Sequence, residues 1–184
     1  HTFNAIVTKR ELYDTYLPAF KKLVTEAKVE SVMGAYNRTL DEVCCASKLL
    51  LDDILRGEWG FDGHVVSDCM ALSDFYLHHK VTEDAADSAA LALKYGCDLG
   101  CDHVFNEIPT AIERGDTTEA LVDRALERTL LTRFKLGMFD PDEDVPFASI
   151  STDVVASKEH RQLAYRTATE AVVLLKNKNN VLPI

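Results

Sequence analysis

Apolar positions along this chain follow two rhythms: intervals of three to four, which predict helices, and short unbroken runs, which predict strands. Thr8-x-x-Glu11 has the spacing of a capping box and opens a helix carrying Leu12, Tyr16, Phe20 and Leu23 on one side. Pro18 lies inside that pattern and should kink the helix or split it. Val29–Tyr36 reads as a strand ending near Tyr36-Asn37. A helix from about Asp41 would turn Val43, Ala46, Leu50 and Ile54 inward and stop at Gly57. His64–Ser67 reads as a second strand, with Val65 and Val66 as a buried β-branched pair, and it finishes on one carboxylate, Asp68.

The rhythm then repeats. A polar loop around Ser73–Lys80 leads to Thr82, the expected cap of an Ala-rich helix. Its small face, Ala85, Ala86, Ala89 and Ala90, suits close packing on a sheet, and Gly96 ends it. Cys97–Leu99 is long enough for one more short strand, and Val104–Arg114 reads as helical. Asp116-x-x-Glu119 is a second box, opening a helix with Val122, Leu126, Leu130 and Phe134 at intervals of four and Gly137 as its close. Asp140–Pro146 is acidic, Pro-bounded and aperiodic, so it reads as a linker. A helix around Lys158–Ala168, the apolar run Ala171–Leu175, a polar turn at Lys176–Asn180 and Val181–Ile184 complete the chain.

Three βα units in succession predict a parallel sheet with helical crossovers, an α/β fold. At 184 residues the chain falls short of the roughly 250 of a closed (β/α)₈ barrel. The expectation is the C-terminal portion of a partial (β/α)₈ TIM-type barrel in residues 1–139. Residues 140–184 would be an interdomain linker and the start of a following α/β domain. An open doubly wound domain is the alternative, but no GxGxxG or GxxxxGK[ST] follows a predicted strand.

Composition narrows the partners. A formal charge of −10 argues against nucleic acid. No apolar run approaches the ~18 residues of a membrane span. The five cysteines, Cys44, Cys45, Cys69, Cys97 and Cys101, lack zinc-site spacing; no cofactor or metal is expected, and buried thiols are the default, with one disulfide open if the protein is exported. The chain opens on His1-Thr2-Phe3 without an initiator Met and reads as a piece of a longer one. Its lack of a leader is therefore silent on location, which leaves a periplasmic or secreted protein open.

Asp68 is the first candidate for a catalytic group, because α/β folds place their reactive groups at the carboxyl ends of strands. A carboxylate there can act as base, metal ligand, helix cap or nucleophile, and spacing alone does not separate a cap from a catalytic group. The nucleophile role asks least of the surroundings: an Asp, with a reference pKa of about 3.9, is already ionised at neutral pH. Retaining glycoside hydrolysis uses such a carboxylate with a separate proton donor. Tyr36, at the end of the neighbouring strand, can face the same site and donate to the attacking oxygen, or be half-buried packing. Met33 reads on pattern as core filler. Trp59 and Phe61, flanking Gly60, read as anchors of the turn before the Asp68 strand. His1, His64, His78 and His79 form no spaced cluster and are expected in loops or solvent.

Several stretches together are distinctive: FNAIVTKRELYDTYLPAF, VMGAYNR, LLLDDILRGEWGFDGHVVSDCMA, ALKYGCDLGC, TRFKLGMFD and VVLLKNKNNVLPI. In combination they resemble glycoside hydrolase family 3, the β-glucosidase and β-xylosidase family, and within it the xylosidase-like branch. The resemblance implies that Asp68 is the nucleophile of a retaining hydrolase of terminal, non-reducing β-D-glycosidic bonds. It implies that Tyr36 stands beside that nucleophile and that Met33 lines the sugar subsite. Cys69 occupies a position where many β-glucosidases carry Trp, and a Cys there resembles the xylosidase-like members. The implied partners are a β-linked oligosaccharide or an aryl or alkyl β-glycoside, and the remainder of a parent catalytic protein.

The chain departs from the family pattern after Tyr36-Asn37. Arg38–Val43 lacks the Asn-Gly and the Pro usual there, which puts that loop's contribution to the pocket in question. The resemblance further implies that the Lys-His pair, Arg and Asp holding sugar hydroxyls precede His1 and that the acid/base carboxylate follows Ile184. A non-catalytic fragment serving as a folding or interaction module, and β-glucosidase specificity, are the alternatives. An apolar edge near Val29–Met33 is expected to stay unpaired in this stretch.

Overall fold

The computed structural model describes residues 1–183 and divides the chain into two compact units, His1–Phe139 and Asp140–Ile184. In the first unit β1 (Asn4–Ala5) leads into the Thr8 box. Thr8 Oγ1 accepts from the Glu11 amide at 3.2 Å and Glu11 Oε2 from the Thr8 amide at 2.8 Å, opening α1 (Lys9–Glu11). The chain continues through a π-helical turn, Leu12–Tyr16, to α2 (Pro18–Thr25). Pro18 splits the helix as expected. It has no N–H to offer and stands in the first turn of α2, where none is required.

β2 is Ser31–Gly34, two residues short of Tyr36. The segment expected to begin a helix at Asp41 instead forms a hairpin, β3 (Arg38–Thr39) and β4 (Glu42–Val43). Its two loop residues, Leu40 (φ 52°) and Asp41 (φ 69°), both adopt the left-handed conformation that a tight two-residue hairpin turn demands. Asn4 secures Asp41 twice: its Nδ2 donates to Asp41 Oδ1 at 2.7 Å, and its Oδ1 accepts from the Asp41 amide at 3.1 Å. β3 pairs in parallel with β1. A clamp from 37 residues away thus overrides the local helical pattern. The helix itself is Lys48–Glu58, wound as a π-helix and capped by Ser47 Oγ on the Leu50 amide. It runs through Gly57 and ends at Trp59, before Gly60 at φ 66°.

β5 is His64–Ser67, paired in parallel with β2 from Ser31↔His64 to Gly34↔Ser67. Leu99 adds a parallel bridge to Val66, so the expected third strand is present as a single bridge. The order β2, β5, Leu99 follows the sequence, with helices between. The class is α/β, as expected, although helix predominates and the strands form two small sheets rather than one continuous wall. Of the expected buried pair only Val65 is fully enclosed, packed among Val24, Leu51, Leu55 and Phe61. Val66 and its neighbour Met33 lie on the opposite face, where Met33 is 60% exposed. The outer edge of β2 is unpaired among the described residues.

After α3 (Asp74–Leu77) comes α4 (Ala85–Tyr95), capped by Asp84 rather than Thr82 and closed by Gly96 at φ 90°. Thr82 is instead buried against Ser88 Oγ at 2.7 Å. Ala89 and Ala92 of α4 meet Phe75, Leu72 and Cys97 in the larger core. A 3₁₀ turn at Val104–Glu107, α5 (Ile108–Arg114) and α6 (Glu119–Lys135) follow. The second box is not made: Thr118 precedes the helix without a side-chain cap. Of the four apolar residues spaced along α6, Val122 and Leu130 are half-buried, whereas Leu126 is 51% and Phe134 60% exposed. Ala125 is the buried residue of α6, and Arg128 and Thr132 also sit on its inner side because both make polar contacts there.

Thr132 meets His64, while Arg128 reaches Asp98, whose side chain is 1% exposed. Its Oδ2 accepts from Arg56 Nη2 and from the Val65 amide, both at 2.8 Å, and its Oδ1 from Arg128 Nη1 at 2.9 Å. Arg56 also reaches the Gly63 carbonyl at 3.1 Å. Burial pulls the Arg56 guanidinium below its ordinary range, opposed by the Asp98 charge.

The second unit, described by itself, holds α7 (Lys158–Glu170), capped by Ser157, and among its described residues none is buried. Val172–Leu175 is exposed and without regular structure, and Ile184 lies outside the described residues.

Removing the Asp98 carboxylate strands two inward-facing guanidinium groups, a change that typically costs about 3–5 kcal/mol. Asp98→Ala in the full-length protein should therefore lower the urea midpoint far more than Glu127→Ala on the exposed side of α6. Equal shifts would show that the network does not tie these elements.

Candidate active site

Asp68 follows the last residue of β5 and is half-buried. Its peptide is held from both sides of the strand. Its amide donates to the Gly34 carbonyl of β2 at 2.8 Å, and the preceding Ser67 amide donates to the Leu99 carbonyl at 2.9 Å. A Cβ added at Gly34 would lie 2.7 Å from Cys45 Sγ, so any side chain here would force Cys45 to shift. One carboxylate oxygen, Oδ1, accepts from the Cys69 amide at 2.7 Å. The next helix, α3, begins only at Asp74 with Ser73 at its cap, so Asp68 does not cap it.

The turn beyond Asp68 is covalently secured. Cys69 is joined to Cys101 in a disulfide, while Cys44, Cys45 and Cys97 are free and buried. Ser67 Oγ accepts from the Cys101 amide at 2.8 Å, and the Met70 amide donates to the Cys101 carbonyl at 3.3 Å. Met70 itself is held at φ 67°. The Cys97 thiol is pushed well above its ordinary pKa by hydrogen bonding to Cys45 and by burial, which keeps it protonated and inert.

The parallel register sets Tyr36 two residues beyond Gly34 and Asp68 one residue beyond Ser67, at the same ends of adjacent strands. Tyr36 is 43% exposed. Met33 shares the open face with Val66 but also borders an apolar cleft of about 450 Å³ between β2, the Leu12–Val24 helices and the Lys48–Glu58 helix. Asp68, Tyr36 and Cys69 do not line that cleft, so its size is no guide to the chemistry. Trp59 and Phe61 pack against the Val65 core, as anchors of the turn.

His1 and His78 are exposed in irregular chain, as expected, whereas His64 lies in β5 and His79 is buried. His1 and His78 converge on buried Asp74 with donor atoms all within 4.8 Å, a set that could in principle ligate a metal. In the structure the imidazoles instead face the carboxylate directly. His79 is 6% exposed and bonded to the Tyr36 carbonyl. His64 bonds Thr132 Oγ1 at 2.9 Å. Asp74-x-x-x-His78 has the i,i+4 spacing that could have flagged part of this cluster, but nothing local points to His1, 73 residues away.

Residues 2–132 match the family model described as glycosyl hydrolase family 3 N terminal domain. The chain belongs to that family. Over its whole length it is 42% identical to a xylan 1,4-β-xylosidase of Xylanibacter ruminicola and 43% identical to a probable exo-1,4-β-xylosidase of Aspergillus clavatus. It spans only 22% and 24% of those two proteins. Among solved structures, a family 3 exo-β-xylosidase in complex with a xylobiose aziridine activity-based probe superposes with a TM-score of 0.88 at 31% identity, over 97% of this chain and 23% of that one. A β-glucosidase from Erythrobacter marinus gives 0.86 at 33% identity, over 100% and 24%.

The cysteine pairing is open to direct mapping. Non-reducing digestion of the native full-length protein should recover Cys69 and Cys101 in one cross-linked species, with Cys44, Cys45 and Cys97 alkylated only after unfolding. Ready alkylation of Cys69 in the native protein would contradict the pairing.

Proposed function

We propose that the full-length protein is a retaining β-glycosidase that removes terminal, non-reducing β-D-xylosyl residues, with Asp68 as its nucleophile. The observation that carries this reading is the placement of one half-buried carboxylate directly after β5, with its peptide bonded to Gly34 of β2. Residues 1–139 supply the later part of a (β/α)₈ barrel, in which β2, β5 and the Leu99 bridge are successive wall segments. Residues 140–184 lead into a further α/β domain.

In the first step an Asp68 oxygen forms a bond to the anomeric carbon while the glycosidic C–O bond breaks. A carboxylic acid elsewhere in the full-length protein gives its proton to the departing oxygen. In the second step that group, now a carboxylate, takes a proton from water. The water oxygen attacks the anomeric carbon and releases Asp68 and a sugar of retained β configuration. The Cys69 amide keeps one Asp68 oxygen oriented, leaving the other to attack. Tyr36 donates a hydrogen bond to the attacking oxygen, and Met33 and Cys69 border the sugar. Cys69, tied to Cys101, fills with a disulfide the position where many β-glucosidases carry Trp. The substrates are β-linked oligosaccharides or aryl or alkyl β-glycosides. The likeness to β-glucosidase structures favours a glucosidase as the second reading.

Asp68→Asn in the full-length protein should keep the fold and lose nearly all turnover of p-nitrophenyl β-xyloside. Mass spectrometry after reaction with a 2-fluoro-xyloside should find the adduct on the peptide containing Asp68. An adduct on Asp62, Asp74 or any other acid would refute the assignment, and a strong preference for the aryl glucoside would select the second reading.

The isolated 184-residue chain should match a buffer blank on both substrates. Turnover in the ordinary range of about 1–10³ s⁻¹ would show that it holds a complete site.

A further inference from the structure

Tyr36 is held by two imidazoles, one stacked on its ring and one at its carbonyl oxygen, and both lead back to α3. Asp74, the first residue of α3, is 2% exposed although it carries a carboxylate. His1 Nδ1 lies 2.5 Å from its Oδ2, and His78 Nε2 lies 3.5 Å from its Oδ1. His1 in turn lies nearly flat on Tyr36, with ring centroids 5.0 Å apart and planes 20° apart. His79 holds the same residue by its backbone, its Nε2 being 2.7 Å from the Tyr36 carbonyl oxygen. That oxygen can only accept, so Nε2 carries the proton. His79 Nδ1 is buried and has no hydrogen-bond partner among the described residues, consistent with the bare nitrogen of that tautomer.

The groups that hold Tyr36 are themselves anchored beside Asp68. The Asp74 carbonyl accepts from the amides of His78 and His79, at 3.0 and 2.8 Å, and the Asp74 amide donates to the Met70 carbonyl at 3.0 Å. Met70 stands two residues after Asp68, in the turn closed by the Cys69–Cys101 disulfide. The strand end that carries Asp68 and the ring of Tyr36 therefore share one rigid support.

We propose that Asp74, acting through His1, and His79, acting on the peptide, form a brace that fixes Tyr36 beside Asp68. His1, Asp74 and His79 are positioning residues. His1 sets the tilt of the phenol ring by stacking on its face, and the buried carboxylate orients the imidazole as a carboxylate orients a ligating or catalytic histidine elsewhere. The proposal rests on the reading of Tyr36 as a hydrogen-bond donor to the Asp68 oxygen, and the experiment separates the two.

A double-mutant cycle on the full-length protein, assayed with p-nitrophenyl β-xyloside and β-glucoside, combines Tyr36→Phe with His1→Ala and with Asp74→Asn. The His1 side chain is 57% exposed, so His1→Ala leaves no cavity, and thermal melts verify each variant. Tyr36→Phe should lower kcat about a hundredfold, the scale of one lost donor to transition-state charge. His1→Ala should lower kcat about tenfold with KM within about twofold, because it misaligns a catalytic group without touching ground-state binding. In the Tyr36→Phe background neither His1→Ala nor Asp74→Asn should lower kcat further, since the hydroxyl they position is gone. If His1→Ala has no effect, or reduces kcat equally in both backgrounds, the brace is overturned while the reading of Tyr36 stands. If Tyr36→Phe leaves kcat unchanged, that reading fails and the brace fails with it.

Discussion

Asp98 is the point on which the first unit depends. One carboxylate, almost wholly removed from water, accepts from the Lys48–Glu58 helix through Arg56, from α6 through Arg128 and from β5 through the Val65 amide. A buried charge survives only where its lone pairs are met, and here three donors from three elements meet them. The consequence is positional. With Val65 held by its amide and enclosed by Leu51, Leu55 and Phe61, β5 has little freedom to slide, and a one-residue slip would turn the face of Asp68 inward.

The mouth of β5 inherits that rigidity and adds its own. Gly34 and Leu99 take the amides of Asp68 and Ser67, and the disulfide closes the turn that follows. Met70 in a left-handed conformation marks how tightly that turn is drawn. Such a support is what a reacting carboxylate requires, because misplacement by about 1 Å can cost a hundredfold in rate. The apolar cleft between β2 and the first helices is bordered by Met33 and Gly34 but not by Asp68.

Membership of family 3 and the arrangement at β5 point the same way without being the same argument. The family assignment rests on matched sequence over residues 2–132, whereas the case for Asp68 rests on strand position, register and hydrogen bonding. Both the xylosidase and the glucosidase structures superpose closely, so backbone shape does not choose between the sugars.

Local pattern was sufficient wherever a residue's conformation depends on near neighbours. The Thr8 box, the break at Pro18, the β5 run ending on Asp68 and the Gly96 terminus were all legible, because caps, ring constraints and strand alternation act within a few residues. The misreadings share a cause of the opposite kind. Asp41 looked helical until Asn4 captured it in a hairpin, and the Asp116-x-x-Glu119 box gave way to Thr118 as the residue before α6. The meeting of His1 with Asp74, and of Cys69 with Cys101, likewise depends on partners far along the chain. The sequence by itself determined the class of fold, the family and the place of Asp68 at the end of a strand, since these follow from short-range chemistry. The tertiary structure alone decided which buried charges pair and what holds Tyr36, because those energies exist only once distant segments exclude water between them.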